Sequence, residues 1–285
     1  MKKLLSVRRE PERHWVGDGF PVRSLFSYQD GQAPPSPFLL LDYAGPAQFA
    51  PAARPRGVDF HPHRGFETVT IVYQGEIEHR DSAGNSGRVG PGDVQWMTAA
   101  SGVLHEEKHS LEFTRKGGTL EMIQLWVNLP ARFKRTPPRY QTLLDAQIPT
   151  VELPNGGGSL RVIAGDFAGA HGPARTFTPI QLWDLRLRAG ERVELPVPDG
   201  HTAALLVLKG IASLDDSTRA RHAEIALFDP SGGNIAVRAQ EDLSALVLGG
   251  EPIPEPIAGY GPFVMNTEEE IEQAIRDYQA GRFGK

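Results

Sequence analysis

His61 and His63 stand one residue apart in His61-Pro62-His63, which leads through Arg64-Gly65-Phe66-Glu67 into Thr68-Val69-Thr70-Ile71-Val72-Tyr73. That last run alternates in polarity and is rich in β-branched residues, the pattern of a strand. On extended backbone, residues i and i+2 face the same way. His61, His63 and, at the same parity, Glu67 are therefore aimed into a common space. Pro62 donates no backbone hydrogen bond and suits an edge or the start of a strand. Further along, Gly102-Val103-Leu104-His105-Glu106-Glu107 places His105 and Glu107 on one face in the same manner. Three imidazoles and a carboxylate from two strands make a mononuclear site for a borderline divalent cation, Fe(II), Mn, Ni or Cu. Structural zinc is disfavoured, because closed zinc sites lean on thiolates and the chain has no cysteine. Parity does not separate Glu67 from Glu107 as the carboxylate ligand. His109 would reach the site only if the strand continued, and it reads as an exposed residue beside Lys108 at a strand end.

These side chains need a strand framework, and the rest of the sequence supplies one. Asp81-Ser82-Ala83-Gly84-Asn85-Ser86-Gly87 and Gly90-Pro91-Gly92-Asp93 are clusters suited to tight hairpin turns. Strands are expected at Gln95-Trp96-Met97 and over 120–129, the latter with Met122, Gln124, Trp126 and Asn128 on one face. Phe66, Trp96 and Trp126 have the parity to line a pocket, although aromatic residues in such strands serve more often as core. The segment Pro130–Pro138 is basic and proline-bearing and reads as a solvated connection between domains. Beyond it, strand-like runs at 180–187, 203–208, 225–228 and 243–248 are spaced by turn residues as in an all-β sandwich or barrel. Thr267-Glu268-Glu269-Glu270 is a capping box followed by Ile271, Ile275 and Tyr278 at helical spacing, with Gly281 as a stop. The expected organisation is thus all-β, with a metal-bearing barrel over 1–135. A second barrel over 136–285 ends in a short C-terminal helix near 267–280.

Composition narrows the function classes. Thirty basic residues against 35 acidic ones give a net charge of −5, which offers no footprint for a phosphate backbone. Direct nucleic-acid binding is not expected. The absence of cysteine excludes disulfide frameworks, zinc fingers, iron–sulfur clusters and thiol nucleophiles. The apolar run after Lys3 is too short for a signal peptide, and no later stretch has the length of a membrane helix. A cytoplasmic protein is the expectation. His171, His201 and His222 form no His-x-His pair, so no metal set is visible in the second half.

The order His-x-His-x-x-x-Glu, hairpin, Gly-x-x-His resembles the two metal motifs of the cupin superfamily, with His61, His63, Glu67, Gly102 and His105 at the matching positions. More narrowly, four blocks resemble the signature segments of the pirin family: His61–Val69, Pro91–Ala99, Gly102–Glu107 and Gly261–Thr267. With Phe38-Leu39-Leu40-Leu41-Asp42 the likeness runs over almost the whole chain. The resemblance implies two cupin (jelly-roll type) barrels in one chain. It also implies a single Fe(II) held by His61, His63, His105 and Glu107, so that Glu107 and not Glu67 is the carboxylate ligand. It carries two functional expectations. One is oxygenation of a flavonol of the quercetin type, with Glu107 taking the substrate's hydroxyl proton and the heterocycle opened by O₂ with release of CO. The other is metal- and redox-dependent binding to a protein partner, a transcription factor or metabolic enzyme, at a mouth lined by Glu67, Arg64 and Glu106.

Overall fold

The computed structural model describes residues 1–9, 12–31, 33–215 and 217–284. Strands dominate, as the alternating segments require, and all pairing between the named strands is antiparallel. The chain divides into two compact units. One comprises Glu12–Pro34, Phe38–Asp145 and Ile253–Lys285; the other comprises Met1–Pro11, Pro35–Pro37 and Ala146–Pro252.

In the first unit a seven-stranded sheet runs in the order Arg139–Leu143, Val94–Thr98, Phe66–Gln74, Gly118–Asn128, Phe38–Phe49, Phe20–Ser27, His14–Val16. A four-stranded sheet runs Gly57–His63, Val103–His109, Ile77–Asp81, Ser86–Val89. Inward residues of both sheets share one apolar cluster, in which Phe20, Val72 and Met122 meet Ile77 and Val89. The second unit repeats the plan with a seven-stranded and a four-stranded sheet. There Trp183, Leu205 and Val247 from one sheet pack with Leu195, Val237 and Ala212 from the other. The expected all-β architecture of two barrels with a C-terminal helix is the architecture of the chain.

Two segments behave differently from their composition. Arg139–Leu143 pairs with Val94–Thr98 as an edge strand of the first barrel, so the basic stretch before it is not a free linker. Within that stretch Lys134 is buried, and its ammonium donates to the Gly65 carbonyl at 2.7 Å, Asn128 Oδ1 at 2.6 Å and the Val264 carbonyl at 3.0 Å. Burial pushes the Lys134 ammonium down to about 7, against the pull of Glu255 and Glu270. Composition shows a run of charges; it does not show which one two distant backbone carbonyls and the Asn128 side chain will surround.

The C-terminal segment packs with the first barrel. The helix spans Glu268–Gln279, with the Thr267 hydroxyl capping the Glu270 amide and Gly281 at φ 64° just past the end. Ahead of it, Phe263 bridges to Arg64, the Val264 amide donates to the Arg64 carbonyl at 3.0 Å, and the Arg64 amide donates to the Pro262 carbonyl at 3.2 Å. The Arg64 guanidinium then reaches Asp277 on the helix at 2.8 Å and lies over the Phe283 ring at 4.5 Å. Gly65 takes φ 89° against this segment, and a Cβ there would stand 1.9 Å from the Val264 carbonyl oxygen. Gly102, at φ 126°, is likewise pressed against the Phe283 ring. These two motif glycines are required by close approach, not by the metal.

Candidate metal centre

His61 and His63 project from the strand Gly57–His63, and His105 from Val103–His109, in register with His61 across the pair. The register shifts between His105 and Glu107, which stands opposite Val58. A bulge of this kind re-aims side chains and is frequent beside active sites. The three imidazole centroids are 4.8 Å (His61–His63), 4.3 Å (His61–His105) and 4.7 Å (His63–His105) apart. One nitrogen of each ring lies within 4.8 Å of the others.

The donor chemistry fits a metal ion. His61 Nδ1 donates to the Asp59 carbonyl at 2.9 Å, which leaves its Nε2 as a lone pair. His63 meets the Pro262 carbonyl, and its Nδ1 has no hydrogen-bond partner although buried. His105 Nε2 is buried and partnerless as well. Unpaired buried nitrogens are costly unless something absent from the polypeptide satisfies them. Burial holds the His63 and His105 imidazoles well below the usual histidine range, and the neighbouring imidazoles lower them further. Both are therefore neutral near pH 7, the form that ligates.

Glu107 is buried, with its Oε1 accepting from the Thr70 hydroxyl at 3.1 Å. It lines the same cavity as His61 and His63, about 300 Å³ in volume. At ligand spacing it also groups with His105 and His79. The cavity wall is apolar through Phe20, Val22, Met122 and Trp126, and polar at Asp42 and Gln124. The wall residues Met122, Gln124 and Trp126 share one face of the strand Gly118–Asn128. Asp42 is held above the usual carboxylate range by burial, against the opposing hydrogen bond from the Ser24 hydroxyl. A wider depression of about 600 Å³, edged by Glu78, Arg80, Arg88 and Lys108, does not include His61, His63 or His105.

Several expectations require correction. Glu67 is buried on Phe66–Gln74 and accepts from the Thr98 hydroxyl at 2.6 Å; burial pushes its carboxyl up to about 7. It contributes to neither of the close groups of potential ligands among the described residues. His109 is not exposed: it is 2% accessible, its Nε2 donates to the Gly19 carbonyl at 3.0 Å, and its ring sits edge-on against Phe49 at 4.6 Å. The apolar interior needed a flat ring there, and one backbone carbonyl satisfies the N–H. Nor do Glu67, Arg64 and Glu106 form a charged mouth. Glu67 is inside, Arg64 is paired with Asp277, and Glu106 is paired with Arg80 and Lys108. Of the three aromatic residues, Trp126 lines the cavity while Phe66 stacks behind it at 4.3 Å and Trp96 is fully buried.

Four participants were missed: His79, Asp42, Thr70 and Pro262. His79 had a signal, since Ile77-Glu78-His79-Arg80-Asp81 alternates like a strand and puts His79 on the face of Ile77. Pro262 lies in the Gly261–Thr267 block, but its approach to His63 depends on the returning C-terminal segment and has no local signal.

Two family models match the chain, one described as Pirin over residues 19–127 and one as the Pirin C-terminal cupin domain over residues 182–284. The chain belongs to the pirin family. A Pseudomonas aeruginosa pirin relative, named as a quercetin 2,3-dioxygenase, is 60% identical over 283 residues, covering 99% of each chain. A pirin-like protein of Solanum lycopersicum is 39% identical, over 94% of this chain and 88% of that one. The crystal structure of a quercetin 2,3-dioxygenase from Acinetobacter baumannii superposes with a TM-score of 0.96 at 52% identity, covering 100% of this chain and 99% of that one. Among the described residues no helix is long and apolar enough to cross a membrane.

Proposed function

We propose that this pirin is a mononuclear metal-dependent flavonol oxygenase of the quercetin 2,3-dioxygenase type, with iron(II) held by His61, His63, His105 and Glu107. The observation that carries the reading is that His61, His63 and Glu107, with His105 packed against the two imidazoles, line one largely apolar cavity of about 300 Å³. That volume lies at the small end of ligand pockets and suits a single flat aromatic molecule. The names of the relatives support the same substrate class.

Bound at these residues, the metal would supply a Lewis acid that lowers the pKa of the flavonol hydroxyl and a template that orients the reactants. The remaining work belongs to the polypeptide. Trp126, Met122 and Phe20 offer apolar and aromatic surface to the rings, excluding water from the reacting face. Gln124 and Asp42 offer hydrogen bonds to the substrate's other hydroxyls. Glu107, held through Oε1 by Thr70, takes the proton of the reacting hydroxyl, for which it stands on the wall of the same cavity. The alternative, a redox-dependent docking protein, calls for a charged lip that changes with the metal; the pairing of Arg64 and Glu106 and the burial of Glu67 do not favour it.

The test is initial O₂ consumption with quercetin by iron-reconstituted wild type, metal-free protein and His105→Ala, each checked for folding by circular dichroism. Consumption confined to the iron-loaded wild type is expected. Folded, iron-loaded wild type that consumes no more than His105→Ala would overturn the oxygenase reading.

A further inference from the structure

The two nitrogens of His105 face different neighbours. Nε2 is the buried, partnerless atom assigned above to the ion. A neutral imidazole that gives one nitrogen to a metal carries its proton on the other, and the acceptor of that proton sets the tautomer. That other atom, His105 Nδ1, lies 3.3 Å from Nδ1 of His79. A proton on His105 Nδ1 therefore requires His79 Nδ1 to be bare.

The surroundings of His79 agree with that requirement. Its Nδ1 also faces Gln95 Nε2 at 2.9 Å, an amide nitrogen that only donates, so the one Nδ1 lone pair is shared between the Gln95 amide and the His105 N–H. The remaining nitrogen of His79, Nε2, is buried and makes no hydrogen bond, but the Asp81 carboxylate Oδ2 lies 3.6 Å from it, which favours the N–H on that side. The ring is clamped in place by stacking on Tyr140, with centroids 4.9 Å apart and planes 25° from parallel. The strands that bear the two histidines are neighbours in register, Glu107 opposite His79 and His105 opposite Asp81.

We propose that His79 is a positioning residue of the metal centre: its Nδ1 accepts the Nδ1 proton of His105 and holds that ring in the tautomer whose Nε2 ligates. The proposal rests on ligation by His105. His79, His105 and Glu107 also lie close enough to be read as three ligands. Ligation through His79 Nδ1, however, would strand the Gln95 amide and the His105 N–H in the interior without an acceptor.

The test combines two measurements on the full chain. Two-bond ¹H–¹⁵N correlation on histidine-labelled, metal-free protein reports the His105 tautomer. Competition with a chromophoric chelator reports nickel(II) affinity in wild type, His79→Leu and His79→Asn. Asparagine carries its carboxamide oxygen close to where histidine has Nδ1, so it restores an acceptor without an imidazole. The His105 proton is expected on Nδ1 in wild type and His79→Asn, and displaced toward Nε2 in His79→Leu. Nickel affinity should fall roughly 10- to 100-fold in His79→Leu and return to within about threefold of wild type in His79→Asn. A proton on His105 Nε2 in wild type overturns the proposal and depends on no variant folding. So does a folded His79→Asn protein that loses nickel as completely as His105→Ala, which would make His79 a ligand. Wild type that binds no nickel while His105 keeps its Nδ1 proton supports the His79 contact and overturns the metal reading.

Discussion

Two carboxylates of equal strand parity, Glu67 and Glu107, end in different environments, and the difference is chemical. Glu107 stands on the cavity wall with His61 and His63, whereas Glu67 is sealed against Thr98. Glu107→Gln is expected to weaken metal retention by about 10-fold or more, equivalent to about 1.4 kcal/mol, with Glu67→Gln near wild type. Chelator competition on the two variants checks this, and the opposite ranking would reverse the assignment. Glu67 also makes a pH prediction. Unfolded, it ionises near the ordinary 4.5; folded, burial moves it to about 7. Between those values the folded state holds the extra proton, so stability falls as pH rises across the window, and the full cost is present above it. Denaturant unfolding of metal-free wild type and Glu67→Gln from pH 4.5 to 7.5 should show the wild type losing ground to the variant. Parallel curves would refute the buried, raised carboxyl.

At the level of elements, the site is a junction of three segments distant in sequence. The His61–His63 strand turns at Gly65, the Pro262–Met265 segment returns against it, and Lys134 ties Gly65, Asn128 and Val264 together. Gly65→Ala places a methyl group against the Val264 carbonyl in a backbone region that L residues disfavour. A loss of about 2 kcal/mol or more is expected, from strain at a special backbone conformation plus the displaced contact. The midpoint of denaturant unfolding measures it, and an unchanged midpoint would mean the C-terminal segment yields freely. Metal affinity should fall in the same variant, because the displaced turn follows directly on the strand end that carries His63.

For the whole molecule, one plan serves two interiors. The second barrel fills the space between its sheets with Trp183, Leu205, Val247, Leu195 and Val237. The first barrel instead gives part of its interior to imidazoles, Glu107 and a row of polar side chains, Ser24, Asp42, Gln124, Thr70 and Gln95, in register across five strands. In the second barrel His171 is exposed beside Asp166, and His222 bonds the Leu208 carbonyl. One metal per chain is therefore expected on reconstitution, lost in His105→Ala, with elemental analysis as the check; two metals per chain would contradict the arrangement. Removal of the metal should leave the far-ultraviolet circular dichroism unchanged, since apolar strand cores in both units supply most of the stability.

The sequence by itself determined the features that depend on neighbours a few residues away. The period of two in Thr68–Tyr73 makes a strand, His61-Pro62-His63 puts two imidazoles on one face, and Thr267 with Glu270 starts the helix. Family resemblance extended this to the two-barrel plan. The tertiary structure decided what depends on register between distant strands. A bulge opposite His105 and Glu107 sets where that carboxylate faces, which parity alone leaves equal to Glu67. Pairing of Val103–His109 with its other neighbour, Ile77–Asp81, brings His79 to His105; Gly19 and Phe49 enclose His109; and the Gly65 and Val264 carbonyls surround Lys134 in a stretch whose composition reads as solvent-facing. Local polarity fixes which residues can be buried, but cross-strand partners must exist before a buried polar group is tolerated, and those partners lie tens of residues apart in the chain.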